Sequence, residues 1–192
     1  QRFATVADLA RHECTIEEME EYEPHVVAGT VIYAGVDYEA ILREAEKEAD
    51  VVIWDGGNND MSFYKPDLQI TVVDPLRAGH ELTWHPGHAN FLSSQVIVIN
   101  KVDSAKPEDL DIVRASIAKW NPNASLVEAE SEITLDHAIE LAGVRTLVVE
   151  DGPTLTHGGM PIGAGYVLAQ RRGAQIVDPT PYAVGSIRGT YE

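Results

Sequence analysis

The sequence predicts an α/β protein with a mostly parallel, doubly wound sheet, and two patterns carry that expectation. Short β-branched runs alternate with segments of helical periodicity, the arrangement in which each helix is a crossover between parallel strands. Several of the runs also end in an acid or amide that opens a loop, as at Trp54-Asp55-Gly56-Gly57 and Ile99-Asn100-Lys101-Val102-Asp103. Ligands of open α/β sheets bind beyond the carboxyl ends of the strands, so these loops are where chemistry is expected.

Taken in order, Thr15 is a helix N-cap with Glu18 as its capping-box partner, and Pro24 ends that helix. A strand is expected over Val26–Tyr33, then a helix over Asp37–Asp50 that gathers Ile41, Leu42 and Ala45 on one face. Strands follow at Val51–Trp54, Leu68–Val73 and Val96–Ile99; the last is unbroken β-branched residues, as a strand covered on both faces requires. Pro107 suits the first turn of a helix running to Trp120. Strand Ser125–Glu128, helix Leu135–Leu141 and strand Thr146–Val149 complete the alternation. Residues 1–150 thus read as a nucleotide-binding α/β domain. Residues 151–192 read as a glycine-rich loop with a C-terminal α/β extension, containing a helix at Val167–Arg171 and a strand at Ala174–Val177.

At 192 residues the chain can bury one good core. Its net charge of −17, from 14 Lys and Arg against 31 Asp and Glu, repels a phosphate backbone, so no nucleic-acid partner is expected. No membrane partner is expected either, because no apolar run approaches the length of a span. The single Cys14 permits no internal disulfide and suits a cytoplasmic location. Homo-oligomerisation is left open. The same negative field opposes nucleotides, so a phosphate site here needs local donors or a divalent cation.

Asn100 can donate to and accept from a purine edge, Asp103 can take two hydrogen bonds from guanine, and Lys101 can lay its stem along the base or the phosphates. The alternative is a plain βα turn in which Asp103 or Ser104 caps the next helix. Asp55 is the candidate ligand for Mg²⁺, and Gly57 would let backbone approach a terminal phosphate. An acid–Gly strand end, an intervening strand and then Asn-Lys-Val-Asp is the order found in several phosphate-loop nucleotide hydrolases. The phosphate loop itself is absent, and Gly158–Gly165 does not replace it because no Lys follows. The expectation is a piece of a longer protein, lacking an amino-terminal strand and phosphate loop.

Four stretches, A-D-V-V-I-W-D-G-G-N-N-D (49–60), V-V-D-P-L-R-A-G-H-E-L (72–82), V-I-N-K-V-D (98–103) and V-V-E-D-G-P-T-L-T-H-G-G-M (148–160), resemble the cyclic 2,3-diphosphoglycerate synthetase family and its GTPase-like relatives. The resemblance implies a phosphate-loop NTPase fold and an ATP-dependent ligase that closes an intramolecular phosphoanhydride on a phosphorylated small acid. Regulatory or metal-delivery GTPases of the same class are the alternative. Asp103 favours guanine whereas the family's reaction implies ATP, so ATP or GTP stays open.

Cations are needed to hold two anionic groups together. Lys65, Arg77 and His80 are the candidates for substrate phosphates, with His85, His88 and Arg188 beside them. His85 and His88 could instead bind a transition metal. In the glycine-rich loop, Thr154 and Thr156 offer hydroxyl donors to substrate, and Asp151 and His157 are candidates with Asp55 for positioning the transferring group. All of this requires Asp55, Asp103 and Asp151 to converge on one crevice.

Overall fold

The computed structural model describes residues 1–56, 60–135, 137, 139–150, 163–185 and 188–189. It is α/β, and its main layer is a three-stranded parallel sheet in the order β3 (Ile70–Val73), β4 (Val96–Ile99), β5 (Ser125–Glu128). The register sets Val73 beside Ile99 and Ile99 beside Glu128, so the strands end level with one another.

Helices α4 (Gly87–Ser93) and α5 (Pro107–Trp120) cover one face of this sheet. Helix α5 does so because Leu110, Val113 and Ile117 fall at helical spacing, and they pack with Phe91 of α4 on Val73, Ile97 and Ile99. The ends of the two helices are locked by Asn121, whose buried amide donates to the carbonyls of Phe91 and Ser94, both at 2.9 Å. The opposite face carries Ile70, Val72 and Val127, all exposed. Helices on both faces were expected; among the described residues this sheet has them on one.

A second core lies at the amino-terminal end. β1 (Arg2–Phe3) pairs antiparallel with β2 (Ile32–Tyr33), and α1 (Val6–Arg11) and α2 (Ile16–Val27) pack Leu9 and Val26 around Phe3. Thr15 caps α2 with Glu18 as expected, but the helix continues through Pro24 to Val27. One hydrogen bond is lost at the proline. The burial of Val26, with Met19 and Tyr22 against the same cluster, offsets that loss. The strand expected from Val26 is therefore shortened to Ile32–Tyr33.

Helix α3 (Tyr38–Ala45) starts at the Asp37 cap but stops short of Asp50. Glu48 is drawn instead to the Arg2 guanidinium, at 2.7 and 2.6 Å, and to the Tyr33 hydroxyl.

Val51–Trp54 forms no strand. Preference for β structure is a preference for a paired, packed surface, and among the described residues no strand pairs with this segment, in which Val51 and Ile53 are exposed. The helix expected over Leu135–Leu141 is likewise absent among the described residues of that segment. Near the carboxyl end, β6 (Arg145–Thr146) and β7 (Gln175–Ile176) pair in parallel, with α6 (Ala164–Arg171) between them in sequence. β6 is shorter than the expected Thr146–Val149 run, and Leu147 and Val149 are exposed. Helix α6 closes at Gly173, whose φ of 72° favours glycine and whose carbonyl accepts from Gly143 at 2.8 Å. Among the described residues, no helix is long and apolar enough to cross a membrane.

Candidate functional site

Because β3 and β4 run side by side in register, Asp74 and Asn100 leave the sheet together at its carboxyl edge, and the Asn100 N–H donates to the Val73 carbonyl at 3.1 Å. Two ion-paired groups are built there.

Asp74 is the centre of the first. Its Oδ1 accepts from the Leu76 N–H at 3.0 Å and so caps the 3-10 turn Pro75–Arg77. Its Oδ2 is shared by Lys101 Nζ at 3.0 Å and Arg77 Nη2 at 3.2 Å. With a side chain only 16% exposed, Asp74 needs that compensation, since a carboxylate leaving water unpaired is strongly penalised. Lys101 supplies it from a left-handed backbone, φ 57°, which costs a non-glycine residue roughly 1–2 kcal/mol. A strained residue at a strand end, with its ammonium aimed at a neighbouring strand's acid, is the kind of geometry that functional edges retain.

Asp103 is the centre of the second. Its Oδ1 accepts from the Ser131 N–H and its Oδ2 from the Ser104 hydroxyl, both at 3.0 Å. Arg171 of α6 lies 3.7 Å from Oδ2 and donates to Ser104 Oγ at 3.2 Å. The Ser131 N–H, with help from Ser104 and Arg171 and against partial desolvation, holds the Asp103 carboxyl below the ordinary range. This group ties the loop after β4 to the segment beyond β5 and to α6.

The sequence-derived site residues are distributed unevenly over this geometry. Arg77 and Lys101 come together on Asp74. Asn100 is half-buried, and its side-chain amide has no hydrogen-bond partner among the described residues, so it remains available to a ligand. Asp103 would have to release Ser131 and Ser104 before it could take two donors from a base. Lys65 and His80 are exposed, His80 resting edge-on against Trp84 at 6.0 Å. His88 Nε2 and Glu81 Oε1 are buried without hydrogen-bond partners among the described residues. Gly57, Asp151, Thr154, Thr156 and His157 lie outside the described residues.

Asp55 follows no strand and is exposed, with the Trp54 ring folded so closely over Gly56 that a Cβ there would overlap it. Among the described residues no group of three or more His, Cys, Asp or Glu side chains is placed to hold a metal ion. Mg²⁺ carried by phosphates keeps most of its waters and needs only one or two carboxylates. Among the described residues Asp55 is thus a lone exposed carboxylate, which could serve a Mg²⁺ only where phosphates supplied the rest of its shell.

Asp74 and Arg171 were not among the expected site residues. A signal for Asp74 existed, since Val72-Val73-Asp74 repeats the apolar-run-then-acid pattern of Asp55 and Asp103. None existed for Arg171, which meets Ser104 across 67 positions of sequence.

No protein-family profile matches the chain, and no solved structure matches it. The chain is 63% identical over 193 residues to a protein of Thermococcus kodakarensis described as arginine synthetase ArcE. The match covers 100% of this chain and 43% of that protein, so the chain spans less than half the length of this relative. That finding corrects the family resemblance and both activities drawn from it. Identity along the entire chain connects these residues to a protein named for making arginine, not to a cyclic 2,3-diphosphoglycerate synthetase or a GTPase. Acids and amides at strand ends describe a way of building a site, and one such site can serve many chemistries.

Proposed function

We propose that this chain is part of an enzyme of the ligase type that forms arginine, driven by a nucleoside triphosphate, ATP or GTP, with Mg²⁺. The observation that carries the proposal is the 63% identity to arginine synthetase ArcE across the full extent of these residues. The doubly wound architecture of phosphate-loop NTPases and a cytoplasmic setting, which a lone cysteine suits, go with it.

The carboxyl edge of the sheet has chemistry suited to such a reaction. Lys101 and Arg77 are cations able to meet phosphate oxygens, and Asp74 is a partly desolvated carboxylate able to meet a guanidinium. In the structure both cations pair with the one carboxylate, an excess of one positive charge. A phosphate group that draws Lys101 and Arg77 toward itself leaves Asp74 unpaired, and a cationic guanidinium then restores the balance. Binding of the two ligands is coupled through one shared carboxylate oxygen. Asn100, at the same edge, supplies an amide for the nucleotide base or the amino acid.

The test runs the reaction backward, which needs only the named product. Full-length protein is incubated with arginine, ADP or GDP, orthophosphate and Mg²⁺, and nucleoside triphosphate is measured. The expected result is triphosphate formation that depends on arginine. Absence of arginine-dependent formation with either diphosphate overturns the proposal.

A further inference from the structure

Parallel sheets occur almost only with both faces covered, because every strand in them is joined to the next by a crossover that lies on a face. Among the described residues the β3-β4-β5 sheet has one covered face. On the other, the register sets Ile70 beside Val96, Val72 beside Val98, and Val98 beside Val127, an aliphatic surface with Ile70 54%, Val72 63% and Val127 46% exposed. A monomer rarely leaves such a patch to water. The outer edge of β3 is also unpaired among the described residues, and unpaired edges are normally shielded. The alignment leaves more than half of the Thermococcus kodakarensis protein outside the matched region.

We infer that this bare face is the docking surface for the remaining polypeptide of the full-length protein, which lays one or more amphipathic helices over it with their aliphatic stripes on Ile70, Val72 and Val127. The occupant is a helix layer because helices on a sheet are the arrangement that buries both apolar faces of a parallel layer. It comes from the same polypeptide because a chain of the relative's length has ample residues to supply it. With that layer in place the sheet is wound on both sides, and the edge carrying Asp74 and Lys101 becomes the rim of an interface.

The inference is read by burial, not by turnover, so it stands or falls separately from the arginine-forming activity. In full-length protein with Cys14→Ser and any cysteine outside these 192 residues likewise changed to serine, single cysteines are introduced as Val72→Cys and Val127→Cys, with Ile70→Cys as a replacement should either fail to fold. Each is reacted with a maleimide in native buffer and in urea. Native reaction slower than the urea reaction by about tenfold or more, unchanged on dilution of the protein, is the expected result. Slowing by less than that overturns the inference. Protection that disappears on dilution also overturns it, since the cover would then be a second copy of the chain.

Discussion

On one face of the β3-β4-β5 sheet Val73, Ile97 and Ile99 are sealed under α4 and α5; on the other Ile70, Val72 and Val127 face outward. The two faces are made of the same β-branched residues, alternating along the same strands. What separates them is the partner: the Leu110–Val113–Ile117 stripe of α5 meets one face, and nothing among the described residues meets the other in the same way. Burial in this molecule is a property of the helix that arrives, and the strands only make it available.

The largest expected effect follows directly. Ile97 is fully buried, so Ile97→Ala should lower stability in urea denaturation by about 4 kcal/mol, the sum of lost transfer energy and a cavity under two helices. A loss below about 1 kcal/mol would mean that the sealed face is no better packed than the bare one. Next comes the lock at the helix ends. Asn121→Ala removes the donor shared by the Phe91 and Ser94 carbonyls and should cost about 3 kcal/mol, because both acceptors belong to buried residues.

Helix α5 and strand β4 were legible in the sequence to the residue, because each is specified by local pattern alone: a proline at the first turn, aliphatics at helical spacing, an uninterrupted β-branched run. Thr15 with Glu18 was legible for the same reason. Val51–Trp54 has as good a local pattern and forms no strand, since pairing is supplied by other parts of the chain. Pro24 misled because a local penalty was outweighed by the distant contacts of Val26. At the site, Lys101 and Arg77 were found by residue type, but their common partner Asp74 was passed over, and Arg171 was invisible because only the fold brings it to Asp103. The proposed product could not be read from strand-end acids at all. Such acids bind cations and metal-bound phosphates in general, and the proposal of arginine rests on the name of the relative.

The edge where the two faces meet gives the third expectation. Lys101→Gly in the full-length protein relieves a left-handed lysine and removes an ion pair that is only partly desolvated, so stability should stay within about 1 kcal/mol. Arginine-dependent triphosphate formation should fall by about 100-fold if the ammonium meets phosphate. Equal losses in stability and activity would reduce Lys101 to a structural role.

A fourth measurement uses the amino-terminal core as a reference outside either face. N–H donation from Ala4, with the Thr5 hydroxyl and N–H, holds the Asp8 carboxyl at about 2. A depressed carboxyl stabilises the folded state above its unfolded value, near pH 4, and that contribution is lost as pH falls toward 2. Acid titration followed by NMR should therefore loosen the Thr5 cap of α1 between about pH 4 and 2, with the Ile97 and Val113 resonances unmoved until lower pH. Simultaneous change would make the two cores one cooperative unit.

The smallest expected effect is the sharpest for the comparison between faces. In the 192-residue chain, Val72→Thr exchanges one β-branched shape for another and puts a hydroxyl where the side chain already meets water. It should change stability by less than about 0.5 kcal/mol in urea. In the full-length protein the same substitution places that hydroxyl under an apolar cover and should cost about 1–3 kcal/mol, the range for burying a polar group without a partner. A difference between the two backgrounds is the signature of a face that is bare only because its cover lies elsewhere in the polypeptide. Equal, small effects in both would make the exposure of Val72 a property of the complete protein, and the asymmetry of the sheet would then be permanent.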